Sequence, residues 1–420
     1  MIDLLVIGAG LSGLMAAHAA AQAGLTVKVI AKGLGTTHWA AGTVDVLGYL
    51  PDREGAIFEP LQAVNDLLAQ HPDHPYGLLD AGQLVSTLAD FVALTEALEL
   101  PYAGSDQPGR NLLLPSPVGA ARPAFLAPAA QRAGDLADPS PMLIVGFEGM
   151  RDFYPALIAA NLAKLGIPAR PHFLPFNTIT DRRDINTVQM AHAIEDEAAL
   201  GRLASGLKRA VKPGERIGLP AILGVEEHGR VFSELEKRVG APLFEIPTLP
   251  PSVPGIRLHT ALRHRLLSMG VRVEAGMEAM GFHAADGRIR WVETETSARP
   301  LKHRAGAFLL ATGGVLGGGF YSDPTGRFWD AVFDLPLTVP QDRSRWFSPR
   351  FLEGQPVFSG GVAVNRDFQP IHPEDASGQP IYATLWAAGG ALAHADGIHE
   401  RSLEGIAVVT GSVVGQRFAA

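Results

Sequence analysis

Glycines at positions 8, 10 and 13 stand in the stretch LLVIGAGLSG, directly after an apolar run. That G-x-G-x-x-G spacing lets a backbone turn tightly and approach a phosphate at Gly8 and Gly10, while Gly13 lets the following helix pack on the sheet and its N-terminus attract the anion. A chain that holds NAD or FAD in this way usually carries Glu or Asp about 20 residues on, to bind a ribose. Here that place, in VKVIAKG, is taken by Ala31, with Lys32 beside it. In the next stretch, GTTHWAAGTVDVLGYL, Thr36, Thr37 and Gly42 offer hydroxyl and backbone hydrogen bonds to a phosphate or a ring, with Trp39 to flank it. Arg110, Arg122, Arg151, Arg257 and Arg263 can each grip a phosphate through two parallel hydrogen bonds. Any single one of them still reads first as solvated surface charge. HPDHP and HADGIHE offer His71, Asp73, His74, His394, Asp396, His399 and Glu400. Neither has the helical spacing that sets two ligands on one face, so no metal is expected.

A βαβ unit must position the glycine turn. Leu4–Ile7 predicts a buried strand, about Leu11 to Ala23 a helix ended by Gly24, and Thr26–Ile30 the return strand. Far downstream, ALRHRLLSMG predicts a helix, VRVEA a strand, AADGRIRWVETE a hairpin and AGAFLLATGG an apolar strand. LWAAGG predicts a last short strand and turn, followed by a small-residue helix. Between Pro101 and Pro254 the order strand, turn, helix, strand occurs twice, which predicts an α/β layer of its own. PTLPPSVPG interrupts helix and strand alike and marks a boundary. The expected fold class is α/β, a Rossmann-like FAD/NAD(P)-binding fold built from discontinuous segments, 1–100 and 255–420, with an inserted second α/β domain over 101–254.

The 420 residues, 47% of them hydrophobic, can bury a large core. A net charge of −8 and a pI near 6.0 argue against a nucleic-acid surface. No Lys or Arg precedes Lys28, and glycines break the apolar N-terminus, so it does not read as a secretory signal. No stretch offers the ~20 apolar residues of a membrane span, and a soluble, cytoplasmic chain is expected. With no cysteine, the chain itself holds no disulfide, thiolate metal site, catalytic thiol or iron–sulfur cluster. A redox role would need a bound organic cofactor and a second molecule to take the electrons.

HPYGLL (His74–Leu79), LPSPVGAARPAFLAP, LIVGFEGMRDF, PTLPPSVPGIRL and LATGGVLGGGF occur in that order along the chain. In them the chain resembles, over essentially its whole length, the B subunit family of anaerobic glycerol-3-phosphate dehydrogenase, related to the fumarate reductase-type flavoproteins. The resemblance implies a flavin subunit that works with a catalytic FAD subunit and an iron–sulfur subunit. Such a complex passes electrons from sn-glycerol 3-phosphate to the quinone pool and forms dihydroxyacetone phosphate. The chain would meet the membrane only through a partner, on the inner face of the cell membrane.

The resemblance also implies FMN as the cofactor, and Ala31 agrees with that, because FMN has no adenosine ribose for an acid to bind. FAD is the alternative, its adenosine held by other residues. By the same resemblance Thr312 and Gly313 lie near the flavin nucleotide, Gly389 marks the C-terminal flavin turn, and Asp396 and Glu400 lie where the family approaches the flavin. In fumarate reductases a His that precedes the Thr bonds covalently to FAD; here His38 follows Thr37, so a non-covalent flavin is expected. Oxidation of a C–H bond wants a base, and His38 and His259 are the candidates near these motifs, with Arg257 beside them for the phosphate. Two other readings stay open: a self-sufficient flavin oxidoreductase acting on an α-hydroxy acid or an enoate, and a non-catalytic nucleotide-binding scaffold.

Overall fold

Five short strands make one parallel sheet, in the order Arg272–Ala275, Val27–Ala31, Ile2–Ile7, Ala305–Leu310, Leu385–Ala387, apolar at its centre and charged at the Arg272–Ala275 edge. The register is continuous across its centre, Ile7 lying opposite both Ile30 and Leu310. The computed structural model describes residues 2–182, 185–295, 299–350 and 352–418. It divides into two compact units, the first comprising Met1–Thr36, Asp45–Ala93 and Ala261–Ala420, and the second Thr37–Val44 and Leu94–Thr260. Among the described residues no helix is long and apolar enough to cross a membrane.

In the first unit, the helix Leu11–Gln22 follows the central strand and is buried along most of its length. The C-terminal helix Leu403–Arg417 packs beside it through glycines. A Cβ placed on Gly411 or Gly415 would run into the backbone of Ser12 or Ala16. These paired contacts rise together along both chains, so the two helices run in parallel. From the level of Gly411 the C-terminal helix extends eight residues towards its N-terminus and its neighbour only one. At 1.5 Å per residue its start therefore overhangs the shorter helix by about 10 Å. A three-stranded antiparallel sheet, Ala279–Ala285, Arg288–Thr294 and Leu301–His303, belongs to the same unit.

His18 is buried in the first helix, and its Nε2 has no hydrogen-bond partner among the described residues. Burial, helped by the charge of Arg265, lowers its pKa from 6.5 to about 4. The folded state thus binds this proton less readily than the unfolded state. The stability His18 permits is complete above pH 6.5 and is lost as pH falls through 4, a total of about 3 kcal/mol. His18→Leu is expected to flatten the fall in unfolding free energy between pH 7 and 4 by about that amount, measured by urea titration. An unchanged slope would show that His18 titrates normally.

The second unit is built around a four-stranded parallel sheet ordered Leu243–Ile246, Arg216–Pro220, Met142–Phe147, Ala169–Leu174. Alternate residues of its strand Met142–Phe147 face opposite layers, as a sheet covered on both sides requires. Leu143, Val145 and Phe147 pack with Leu203, Leu207 and Leu235, whereas Met142 and Ile144 pack with Ile158, Leu162 and Phe244. The helix Pro155–Lys164 thus covers one face, and Glu197–Ala210 and His228–Val239 the other.

Candidate flavin site

In the first unit the glycine turn sits where the chain reverses direction across the sheet. Ile2–Ile7 is followed by Val27–Ala31 on one side, and Ala305–Leu310 returns on the other. The carboxyl ends of two such strands leave the crevice in which open parallel sheets take ligands. Gly8 has φ 118° and lies so close to Ala311 that no Cβ would fit. A Cβ on Gly13 would collide with the carbonyl oxygen of Gly8. Gly10 differs from both: a Cβ there meets no protein atom within 4 Å. The turn therefore has tight packing behind it and open space in front, which is the shape a phosphate group needs.

Two further turns converge on it. Gly389, at φ 71°, leaves no room for a Cβ beside Ser12 at the start of the first helix. A Cβ on Gly314 would come within 2.7 Å of the Gly390 carbonyl oxygen. Thr312 Oγ1 is buried at the end of its strand without a hydrogen-bond partner among the described residues. Gly8, Gly10, Gly13, Thr312, Gly313 and Gly389 thus come together from three distant stretches of sequence. The turn, the overhanging helix and the orphaned hydroxyl fit a nucleotide with a phosphate.

Lys32 lies at the edge of this arrangement, its Nζ 2.7 Å from Glu278 Oε1. Asp396 and Glu400 occupy a different environment. Glu400 is buried, and its carboxylate accepts from His74 Nε2 at 3.2 Å, Ser402 Oγ at 2.8 Å and the Asp396 amide at 3.1 Å. Tyr76 N–H donates to His74 Nδ1, so the ring proton sits on Nε2 and points at Glu400. Burial pushes the Glu400 carboxyl up, but the bonds from His74 and Ser402 outweigh it and hold its pKa below the usual value. Glu400 fastens the approach to the C-terminal helix from within, and its lone pairs face protein. The relevant signal in the sequence was HPYGLL, 326 residues away from Glu400 at His74.

Thr36 to His38 form a single 3₁₀ turn. In the second unit the loop 37–44 packs on the start of the helix Val253–Ser268. Ser252 N–H donates to the His38 carbonyl at 2.7 Å, and Gly255 lies against the Thr37 carbonyl with no room for a Cβ. Gly42, at φ 81°, lies as tightly against Pro254, and Tyr102 OH donates to its carbonyl at 2.5 Å. The rings of His38 and His259 come together with centroids 4.9 Å apart, and His259 is buried. Buried Arg122 donates to Thr43 Oγ1 at 2.7 Å and to Gln131 Oε1 at 3.3 Å.

Arg257 is not at the surface, where an arginine is first expected, and each nitrogen of its guanidinium donates within the protein. Both terminal nitrogens bond to the buried carboxylate of Glu245, at 2.5 and 2.9 Å, and Nε donates to the Gly224 carbonyl at 2.7 Å. It organises the protein around itself, and its paired donors are committed to a carboxylate and not to a phosphate. His71 lies 3.5 Å from Asp52, and His74 belongs to the Glu400 cluster. Among the described residues no three His, Asp or Glu side chains converge as metal ligands.

A parallel sheet with a glycine turn after its central strand, completed by strands from the far end of the chain, is the fold of FAD-binding flavoproteins. The sequence profile of the FAD binding domain family matches residues 3–407, and the chain belongs to that family. Within it, similar proteins include B subunits of one dehydrogenase. The probable B subunit of anaerobic glycerol-3-phosphate dehydrogenase from Halobacterium salinarum is 31% identical, over 98% of this chain and 96% of its own. The B subunit of anaerobic glycerol-3-phosphate dehydrogenase from Glaesserella parasuis is 30% identical, over 99% and 98%. The chain is thus a member of the B subunit family of anaerobic glycerol-3-phosphate dehydrogenase. Similar solved structures include the 3-ketosteroid delta1-dehydrogenase of Sterolibacterium denitrificans, 13% identical over 99% of both chains with a TM-score of 0.46. An open flavocytochrome c3 fumarate reductase is 12% identical over all of this chain and 78% of its own, with a TM-score of 0.43.

Proposed function

We propose that this chain is the flavin-binding subunit of an anaerobic glycerol-3-phosphate:quinone oxidoreductase, which oxidises sn-glycerol 3-phosphate to dihydroxyacetone phosphate. The observation that carries this reading is the full-length similarity to the B subunits of glycerol-3-phosphate dehydrogenases, on a chain whose glycine turns fit a flavin phosphate. In this reading residues 101–254 are an inserted α/β domain, and the segments 1–100 and 255–420 form the flavin-binding domain. Gly8, Gly10 and Gly13 receive the phosphate, and Thr312, Gly313 and Gly389 close around the nucleotide. The matched family supports a flavin, FAD most directly, while FMN is what the resemblance to the B subunits implies.

A bound flavin supplies a two-electron acceptor for the hydrogen on the alcohol carbon. Should the alcohol be oxidised on this chain, that step also releases the hydroxyl proton, and His38 and His259, whose rings pair within the second unit, are the bases we propose for it. Arg257, committed to Glu245, acts by positioning the helix that carries His259. The chain has no cysteine to ligate a cluster, and in this reading, as the resemblance implies, a catalytic FAD subunit and an iron–sulfur subunit share the electron path to quinone. The complex would sit on the cytoplasmic face of the cell membrane, held there by a partner.

The purified chain is expected to release flavin on denaturation and to reduce it with glycerol 3-phosphate only slowly until the partner subunits are added. Turnover by the isolated chain at ordinary enzyme rates, about 1–10³ s⁻¹, would overturn the accessory role and favour a self-sufficient oxidoreductase. A chain without flavin would favour the scaffold.

A further inference from the structure

The motif LPSPVGAARPAFLAP has no place in the flavin site. It folds into most of the antiparallel hairpin Leu112–Pro115 and Ala121–Ala124 of the second unit and leads into the short helix Ala129–Arg132. The hairpin holds the loop 133–140. The Leu113 amide donates to Asp135 Oδ1 at 3.1 Å, and the Leu136 amide donates to the Leu113 carbonyl at 2.8 Å. The loop in turn wraps the guanidinium of Arg216, the first residue of the buried strand Arg216–Pro220. Arg216 Nη1 donates to the carbonyls of Ala133 and Asp135 at 2.7 and 2.9 Å, and Nη2 to those of Asp138 and Ser140 at 2.7 and 3.2 Å. The remaining N–H, on Nε, is buried and makes no hydrogen bond among the described residues; Asp138 Oδ2 lies 3.5 Å from it. Arg132 repeats the pattern. Its Nη2 donates to Asp106 Oδ1 at 2.6 Å, and its Nε is buried with no hydrogen-bond partner among the described residues.

Both arginines line one cleft of about 460 Å³, walled also by Ser105, Asp106, Asp135 and Asp138. That volume falls in the range of small-molecule sites, about 300–1,000 Å³. We propose that the cleft binds a small neutral polyol, whose hydroxyls accept from the two Nε–H groups and donate to the carboxylates beside them. The cleft lies wholly within the second unit, and the proposal does not depend on the flavin reading.

Charge decides the class of ligand. Three carboxylates share the cleft with two guanidinium groups, and each guanidinium already has an Asp beside it. A phosphate would enter among the acids and an amine among the arginines, so an ion of either sign meets like charge. An apolar ligand would cover the two Nε–H groups and leave them unpaired, with the desolvation cost of each in place. A hydroxyl is donor and acceptor at once, and adjacent hydroxyls on a carbon chain can bridge an N–H and a carboxylate. The acids are held ready for this. Asp135 Oδ1 accepts from the amides of Leu113 and Ala137, and Asp138 Oδ1 from that of Ser140. A site ordered in advance loses less freedom when the ligand arrives. The strand Arg216–Pro220, five residues and about 16 Å long, runs from this cleft towards the opposite edge of the sheet, beyond which the Gly224 carbonyl holds Arg257. A polyol bound here therefore leaves the imidazole pair of His38 and His259 unobstructed.

The test is to titrate the purified full-length chain with glycerol and with D-glucose by saturation-transfer NMR, with sn-glycerol 3-phosphate and inorganic phosphate as charged controls. Saturable binding of at least one neutral polyol is expected. A neutral ligand has no charge to screen, so its affinity should stay within about twofold in about 0.5 M sodium chloride. Arg132→Met removes a donor and Asp138→Asn an ionised acceptor, and each is expected to weaken the polyol by about tenfold. Both side chains are partly exposed, at 35% and 48%, so both variants should unfold at the wild-type temperature. Arg216 is left intact because its guanidinium holds the loop 133–140 together. No saturable polyol binding below about 100 mM, or polyol affinities that ignore both variants, overturns the proposal. Phosphate binding that Arg132→Met weakens would make the cleft an anion site and overturn it equally.

Discussion

Gly10→Val is expected to strip the flavin from a chain that still folds. Gly10 has φ −74° and ψ 178°, an extended conformation that valine adopts without strain, and the position caps the helix Leu11–Gln22 without using a side chain. A Cβ at this position meets no protein atom within 4 Å, so the isopropyl group enters only the space left open in front of the turn. If that space receives the phosphate, the branched side chain keeps it from the backbone amides, and affinity should fall by at least about 100-fold, or 2.7 kcal/mol. Gly13→Val gives the contrast. Its Cβ collides with the Gly8 carbonyl, so that variant should lose stability and flavin together. The ratio of flavin to protein absorbance, read beside the thermal midpoint, separates the two. A Gly10→Val protein with a full complement of flavin would show that the phosphate lies elsewhere.

The backbone of this site was legible in the sequence because glycine spacing and apolar runs report backbone geometry directly. LLVIGAGLSG predicts strand, turn and helix, and the structure has Ile2–Ile7 and Leu11–Gln22. AGAFLLATGG and LWAAGG likewise become Ala305–Leu310 and Leu385–Ala387 in the same sheet. The side chains were far less legible, because their partners are remote in sequence. Lys32 pairs with Glu278 across 246 residues, and His74 with Glu400 across 326. Ala31 is an absence when read along the strand, and only the order of strands in the sheet shows which residue stands next to it. Arg257 misleads for the same reason. A single arginine in a polar-looking helix reads as surface or as a phosphate grip, until the carboxylate on the strand Leu243–Ile246 appears against it.

Arg257→Met is expected to destabilise the second unit by about 3–5 kcal/mol, as removal of one partner from a buried ion pair does. Glu245 is almost wholly buried, and its ionisation runs against that burial; the Arg257 charge outweighs the burial and keeps its pKa below the usual value. Once the guanidinium is gone, the carboxylate must either take up a proton or draw water into the core. The Leu223 amide, which donates to it at 2.8 Å, can satisfy only one lone pair. The sign of the pH dependence follows. A Glu held below its usual pKa contributes stability that is present above the unfolded value near 4.5 and lost as pH falls. In Arg257→Met that contribution disappears, and the variant should be relatively less handicapped in acid than at pH 7. Adding Glu245→Leu to Arg257→Met removes the stranded charge and should recover most of the lost stability, because a buried pair exchanged for apolar residues of similar volume is often close to neutral. Urea unfolding of the four proteins of this cycle, at pH 7 and at about pH 4, below the unfolded carboxylate value, provides the measurement. Recovery in the double variant marks Arg257 as a positioning residue of the helix that carries His259. A double variant as unstable as the single would show that Arg257 contributes through its bond to the Gly224 carbonyl, with Glu245 secondary.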